Sequence, residues 1–126
     1  MNGKFVIDTN TIINHLQGLQ PCSNFVEGLR PEYGFISVIT RMELLAWDGL
    51  TSIGEKQIQS YLGLVKTVLL SEPIENEAIV LRRKTRLKLP DAIIAATAVV
   101  CDATLVTNDK IMCALTWPNL KIINPT

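Results

Sequence analysis

Along this chain, short apolar runs alternate with longer stretches whose apolar residues recur at helical spacing. Phe5-Val6-Ile7 is a strand-forming run that stops at Asp8-Thr9-Asn10. Ile12, Ile13 and Leu16 follow at helical spacing, with Asn10 or Thr9 as the cap and Gly18 near the end. Pro21 suits the first turn of a short helix bearing Phe25, Val26 and Leu29, stopped by Gly28 and Pro31. Residues 33–36 predict a second strand, and Ser37 caps a helix carrying Val38, Ile39, Met42, Leu45 and Ala46 that ends at Trp47-Asp48-Gly49. A further helix starts near Ser52, with Ile58, Tyr61, Leu62 and Val65 on one face.

Val68-Leu69-Leu70 predicts a third strand, and Pro73 opens a helix on which Ile74, Ala78 and Leu81 share a face. Leu89-Pro90-Asp91 interrupts it, with Pro90 suited to the first helical position, and residues 91–101 form a helix apolar nearly all round and therefore central. Thr104-Leu105-Val106 is a fourth strand, followed by a short helix through Leu115 and a closing strand, Lys121-Ile122-Ile123. Strand alternating with helix predicts an α/β fold, a mainly parallel sheet of short strands with helices on both faces.

Composition narrows this picture. With 126 residues, 48% hydrophobic and 19% charged, the chain is expected to fill one core as a single domain over 1–126. No apolar run reaches the ~18 residues that span a bilayer, and the N-terminus lacks a signal-peptide pattern, so a cytoplasmic protein without a membrane partner is expected. Cys22, Cys101 and Cys113 are odd in number and lack a C-x-x-C spacing, and with one histidine, His15, they assemble no zinc set. A net charge of zero gives no bulk attraction to nucleic acid, which must then come from a local patch or a metal.

The candidate chemistry lies in the acids. Asp8 follows the first strand, and Asp109 follows the fourth after two polar residues, so both fall on the edge beyond the strands' carboxyl ends, where open parallel sheets place their ligands. Asp91 stands in the first turn of an otherwise apolar helix, and Glu43 lies between Met42 and Leu44 in a segment with few other charges. Asp102 precedes a strand, falls on the opposite edge and is excluded. Clustered carboxylates repel one another unless they take up protons or cations, and a hard divalent ion with oxygen ligands resolves that repulsion.

Four segments carry a resemblance: Val6-Ile-Asp-Thr-Asn10, Ile36-Ser-Val-Ile-Thr-Arg-Met-Glu-Leu-Leu45, Leu89-Pro-Asp-Ala-Ile-Ile-Ala-Ala96 and Leu105-Val-Thr-Asn-Asp109. In that order and spacing the chain resembles a PIN domain, and among PIN domains the VapC-type toxins of toxin–antitoxin pairs. The resemblance covers essentially the whole chain. It implies a three-layer α/β/α sandwich and a Mg²⁺- or Mn²⁺-dependent endoribonuclease. It further implies a homodimer restrained by a cognate antitoxin. The family's acidic positions fall on Asp8, Glu43, Asp91 and Asp109 as metal-binding and catalytic residues, with Thr107 as the small polar position near the last acid. Thr9 and Asn10 join Thr107 as candidate donors that orient carboxylates. In the implied reaction, metal-activated water attacks phosphorus in line and leaves 5′-phosphate and 3′-hydroxyl ends.

Substrate grip is expected from Arg82, Arg83, Lys84, Arg86 and Lys88, five of the twelve basic residues, just before Asp91; a solvated helix end is the competing explanation. Arg41 is a weaker candidate, and Trp47 and Trp117 suit packing better than base stacking. The helix with Ile58 and Tyr61 suits the core before an antitoxin groove, and His15 suits a helix face. Two other readings stand beside the nuclease. A PIN-like fold kept only for binding or scaffolding is the first, and the intact acids argue against it. A phosphoacceptor domain would want an acidic pair after the first strand, where Asp8 stands alone, and an isolated lysine after the last strand, whereas Lys110 adjoins Asp109.

Overall fold

The computed structural model describes residues 3–126; Met1 and Asn2, the first two of the expected 1–126 domain, lie outside the described residues. Five strands form one sheet: β1 (Phe5–Ile7), β2 (Gly34–Ser37), β3 (Lys66–Val68), β4 (Thr104–Val106) and β5 (Lys121–Ile123). Their spatial order is β3-β2-β1-β4-β5, and every neighbouring pair is parallel. The order reverses at β1, between β2 and β4, and the acids after β1 and β4 therefore share the edge at which such sheets open a crevice.

The helices are α1 (Thr9–Leu16), α2 (Cys22–Glu27), α3 (Val38–Leu45), α4 (Ser52–Leu62), α5 (Glu72–Lys84), α6 (Leu89–Val100) and α7 (Lys110–Cys113). Period-two alternation in the strands divides their side chains between two cores. Phe5, Ile7, Ile36 and Val106 pack with Ile12, Val26, Leu44, Ile58 and Tyr61 from α1–α4. Val6 and Leu105 pack on the other face with Ile74, Ala78 and Leu81 of α5 and the run from Ala92 to Ala98 of α6. The result is the α/β/α sandwich expected. The small residues of α6 let it lie close beneath the sheet, and seven consecutive positions, 92–98, are buried.

Local departures from expectation have simple causes. Asp8, not Thr9 or Asn10, is the N-cap of α1, its carboxylate accepting from Thr9 N. β3 lies two residues earlier than the apolar run suggests, since Leu69 and Leu70 are 69% and 47% exposed. Helix α4 ends at Leu62, so Val65 lies beyond it, and there its Cγ1 would stand 3.1 Å from a Cβ at Gly34, where β2 starts. Helix α6 begins at Leu89, so Pro90 is its second residue, with no N–H to lose, and Asp91 remains in its first turn. Among the described residues no helix is long and apolar enough to cross a membrane.

Candidate metal and nuclease site

The carboxyl edge is assembled from three helix starts and one helix interior. Asp8 caps α1, Asp109 caps α7 through a bond from Met112 N to Oδ1 at 2.9 Å, and Asp91 lies in the first turn of α6. Glu43 comes from the middle of α3, whose start is set by Ser37 accepting from Ile39 N at 3.1 Å. Backbone N–H groups and helix dipoles at such starts favour negative charge and offset part of the cost of gathering it.

Two threonines join three of these acids, Asp8, Glu43 and Asp109, into one hydrogen-bonded set. Asp8 Oδ1 accepts from Thr9 N at 2.8 Å, and Oδ2 accepts from the Thr107 hydroxyl at 2.8 Å. The same Thr107 oxygen accepts from Asp109 N at 3.0 Å, tying the two aspartates together. The Thr9 hydroxyl donates to Glu43 Oε1 at 2.7 Å and lies 3.1 Å from the Thr40 hydroxyl. Thr9, Thr40 and Thr107 are all buried. Thr107 and Thr9 therefore stand where carboxylate-orienting donors were expected. Asn10 does not: the turn of α1 leaves it exposed and outside this set. Thr40 escaped the sequence reading because a threonine inside an amphipathic helix carries no signal until α3 crosses α1.

Electrostatics shows that the four acids share one field. Burial pushes the Asp8 carboxyl up to about 6, the bonds from Thr107 and Thr9 pull it down, and the charges of Asp91 and Asp109 add to the rise. Asp91 is also raised, by burial first and then by Asp109 and Glu43, with Lys88 opposing. Asp8 is 4% exposed, and among the described residues none of the four acids has a basic side chain at ion-pair distance.

Among the described residues, no group of three or more His, Cys, Asp and Glu side chains is placed to hold a metal ion as it stands. The acids instead line a shared edge. Their donor set still fits a hard divalent ion: it is all oxygen, it carries uncompensated negative charge, and its best-placed member is already driven toward its protonated form. Soft ligands do not intrude. The Cys113 thiol donates to Thr107 O at 3.3 Å, and burial followed by the charges of Asp109 and Asp8 keeps it protonated. His15 lies elsewhere, 3.2 Å from Ser23 Oγ and tilted against Tyr61.

The basic stretch is divided. Arg82, Arg83 and Lys84 end α5, with Arg82 donating back to Leu87 O at 3.0 Å, whereas Lys88 caps α6 and is the one whose charge reaches Asp91. Trp117 packs against the α5–α6 core, and Trp47 lies at the surface against Gly49. Asp102, left out on edge geometry, is an exposed partner of Lys121 at 3.4 Å.

Comparison with known proteins agrees with this architecture. The family model of the PIN domain matches residues 5–117. A chain of a toxin–antitoxin complex from Klebsiella pneumoniae is 28% identical, with 98% of each chain covered and a TM-score of 0.83. A chain of VapBC2 from Rickettsia felis, bound to a promoter DNA fragment, is 25% identical over 95% of this chain and 97% of that one, with a TM-score of 0.75. A chain of the DNA-bound VapBC from Salmonella typhimurium, 22% identical with 98% and 99% covered, shares the fold at a TM-score of 0.80. No curated protein sequence matches significantly.

Proposed function

Because the chain belongs to the PIN domain family, we propose that it is a divalent-metal-dependent endoribonuclease and the toxin of a toxin–antitoxin pair. The observation that carries the reading is the Asp8–Thr107–Asp109 link at the sheet edge, electrostatically coupled to Asp91 and reached by Glu43 through Thr9. Asp8, Asp91 and Asp109 would hold Mg²⁺ or Mn²⁺, and Glu43 would complete the set or orient the attacking water. When bound, such an ion supplies Lewis-acid activation of water and neutralises charge at the scissile phosphate.

The chain's own residues supply position. Thr107 and Thr9 fix the carboxylates that face the substrate, so their rotamers need not be ordered during the reaction. Lys88, with Arg86 beside it, suits contacts to the RNA backbone next to the acids. One of the similar structures is a toxin–antitoxin complex, and by that analogy a cognate antitoxin is an expected partner; a second copy of the chain is expected from the family resemblance alone. The test is cleavage of total cellular RNA by purified protein with Mg²⁺ or Mn²⁺. The wild-type chain should cut, and Asp8→Asn should not while retaining its circular dichroism spectrum. Undiminished cleavage by Asp8→Asn would remove the acid edge as the site.

A further inference from the structure

The contact between α1 and α3 holds two buried hydroxyls, Thr9 and Thr40, where packing alone would take two aliphatic side chains. Burying a hydroxyl is costly unless it is hydrogen-bonded. Thr97 shows the usual outlet for a buried helical threonine, donating to Ile93 O four residues back at 2.7 Å. Thr40 takes a different partner. Among the described residues its hydroxyl meets the Thr9 hydroxyl of the neighbouring helix, at 3.1 Å, and no other hydrogen-bonding group.

Proton count sets the direction of this contact, because a hydroxyl donates only once. Thr9 Oγ lies 2.7 Å from Glu43 Oε1 and 3.1 Å from Thr40 Oγ, and the shorter, charge-assisted bond takes its proton. The Thr40 proton therefore points at the Thr9 oxygen, and the bonds run one way, from Thr40 to Thr9 to Glu43. Glu43 needs such a hold. It is exposed in the middle of α3, and among the described residues no basic side chain lies at ion-pair distance from it.

We propose that Thr40 is a positioning residue for Glu43, acting only through Thr9. Turning Thr9 to its next staggered rotamer would move the hydroxyl away and put another group in its place. A proton from Thr40 favours the rotamer whose oxygen lies between both partners. That pins Glu43 Oε1 and leaves Oε2 without a protein partner among the described residues. Thr107 serves Asp8 and Asp109 through a separate set of bonds, so the acid edge has two anchors. The kinetic consequence rests on the nuclease reading above, whereas the Thr9 rotamer is read without metal or RNA.

Nuclear magnetic resonance of the metal-free full chain tests it through the three-bond couplings of the Thr9 methyl carbon. The wild type should show one rotamer, Thr40→Val and Thr40→Ala should show averaging, and Thr40→Ser should return the single rotamer. Circular dichroism establishes that each variant is folded, and alanine serves should the valine variant unfold. With Mg²⁺ and a short RNA that the wild type cuts, Thr40→Val should lower kcat ~10-fold and leave KM within about twofold, with serine restoring most of kcat. Added to Thr9→Val, Thr40→Val should cost less than about twofold more. A Thr9 rotamer unmoved by the loss of the Thr40 hydroxyl overturns the proposal, as does a serine variant that restores nothing. A Thr40→Val loss that multiplies in full with that of Thr9→Val overturns it too, since packing would then be its cause. A wild-type chain that cuts no RNA, with the Thr9 rotamer responding as expected, removes the nuclease reading and leaves the positioning of Glu43 standing.

Discussion

Asp8 and Asp102 lie at opposite ends of neighbouring strands in one sheet, and their surroundings differ in every respect. Asp8 follows β1 at the carboxyl edge, is buried, and accepts bonds from Thr9 and Thr107 while lacking any cation partner among the described residues. Asp102 precedes β4 at the amino edge, with 87% of its side chain exposed and Lys121 at 3.4 Å. The residue type is the same, and topology makes the difference. At the carboxyl edge of a parallel sheet, helices begin, so their N–H groups and dipoles converge on whatever acid stands there. At the amino edge the chain arrives from a solvated turn. An unpaired carboxylate can be kept only where the first arrangement holds it.

The sharpest way to break this contrast is to remove each charge in turn. Asp8→Asn should lower RNA cleavage by ~10³-fold, the size of losing several kcal/mol of metal-assisted stabilisation. Asp102→Asn should cleave as the wild type does. Equal losses in single-turnover assays would mean that both act through the fold rather than through a site.

Thr107 tests whether the edge is organised or merely acidic. Thr107→Val keeps the shape but removes the donor to Asp8 Oδ2 and the acceptor for Asp109 N. Activity and Mg²⁺ affinity should fall by ~10–100-fold, and Thr107→Ser should restore most of both. Calorimetric metal titration beside the cleavage assay reads the two separately. An unimpaired valine variant would leave Thr107 a packing residue.

The fold and the site were legible to different depths. β1, β4 and β5 were read with their observed limits, because brief apolar runs end there at polar residues or breakers. β3 was displaced because Leu69 and Leu70 are apolar without being buried, and hydropathy reports composition rather than contact. Leu70 instead lines a surface groove beside α5. The placement of Asp8 and Asp109 followed from strand order and edge, which a sequence can imply, whereas Glu43 and Asp91, on helices, joined them through the family resemblance. Which hydroxyl meets which carboxylate did not, since Thr9, Thr40 and Asn10 look alike until the rotation of α1 is fixed. That rotation turns Thr9 toward Glu43 and Asn10 to solvent.

A smaller effect appears in stability without metal. Asp8 titrates near 3.8 when unfolded and about 6 when folded, so the folded state holds its proton more tightly. The favourable contribution is full below pH 3.8 and is lost as pH rises through 6; Asp91 shifts in the same direction. In chelator, Asp8→Asn should therefore melt increasingly higher than the wild type between pH 4 and 7, by roughly 3–6 °C for each kcal/mol recovered. Millimolar Mg²⁺ at pH 7 should raise the wild-type melting temperature and leave the variant largely unmoved. A difference between the two proteins that is constant with pH and blind to Mg²⁺ would contradict a shared acidic field.

The smallest expected effect completes the contrast. Asp102 has φ of 52°, a left-handed conformation that asparagine tolerates as readily as aspartate. Asp102→Asn therefore keeps the turn and deletes only the charge, so it isolates what the contact with Lys121 contributes. An exposed pair at 3.4 Å loses most of its attraction to solvent screening and to the ordering of a lysine side chain. The melting temperature should move by no more than ~2 °C, and 0.5 M NaCl should reproduce most of whatever shift is seen. A larger, salt-resistant loss would mean that the amino edge also depends on a particular carboxylate, and edge topology alone would not then separate Asp8 from Asp102.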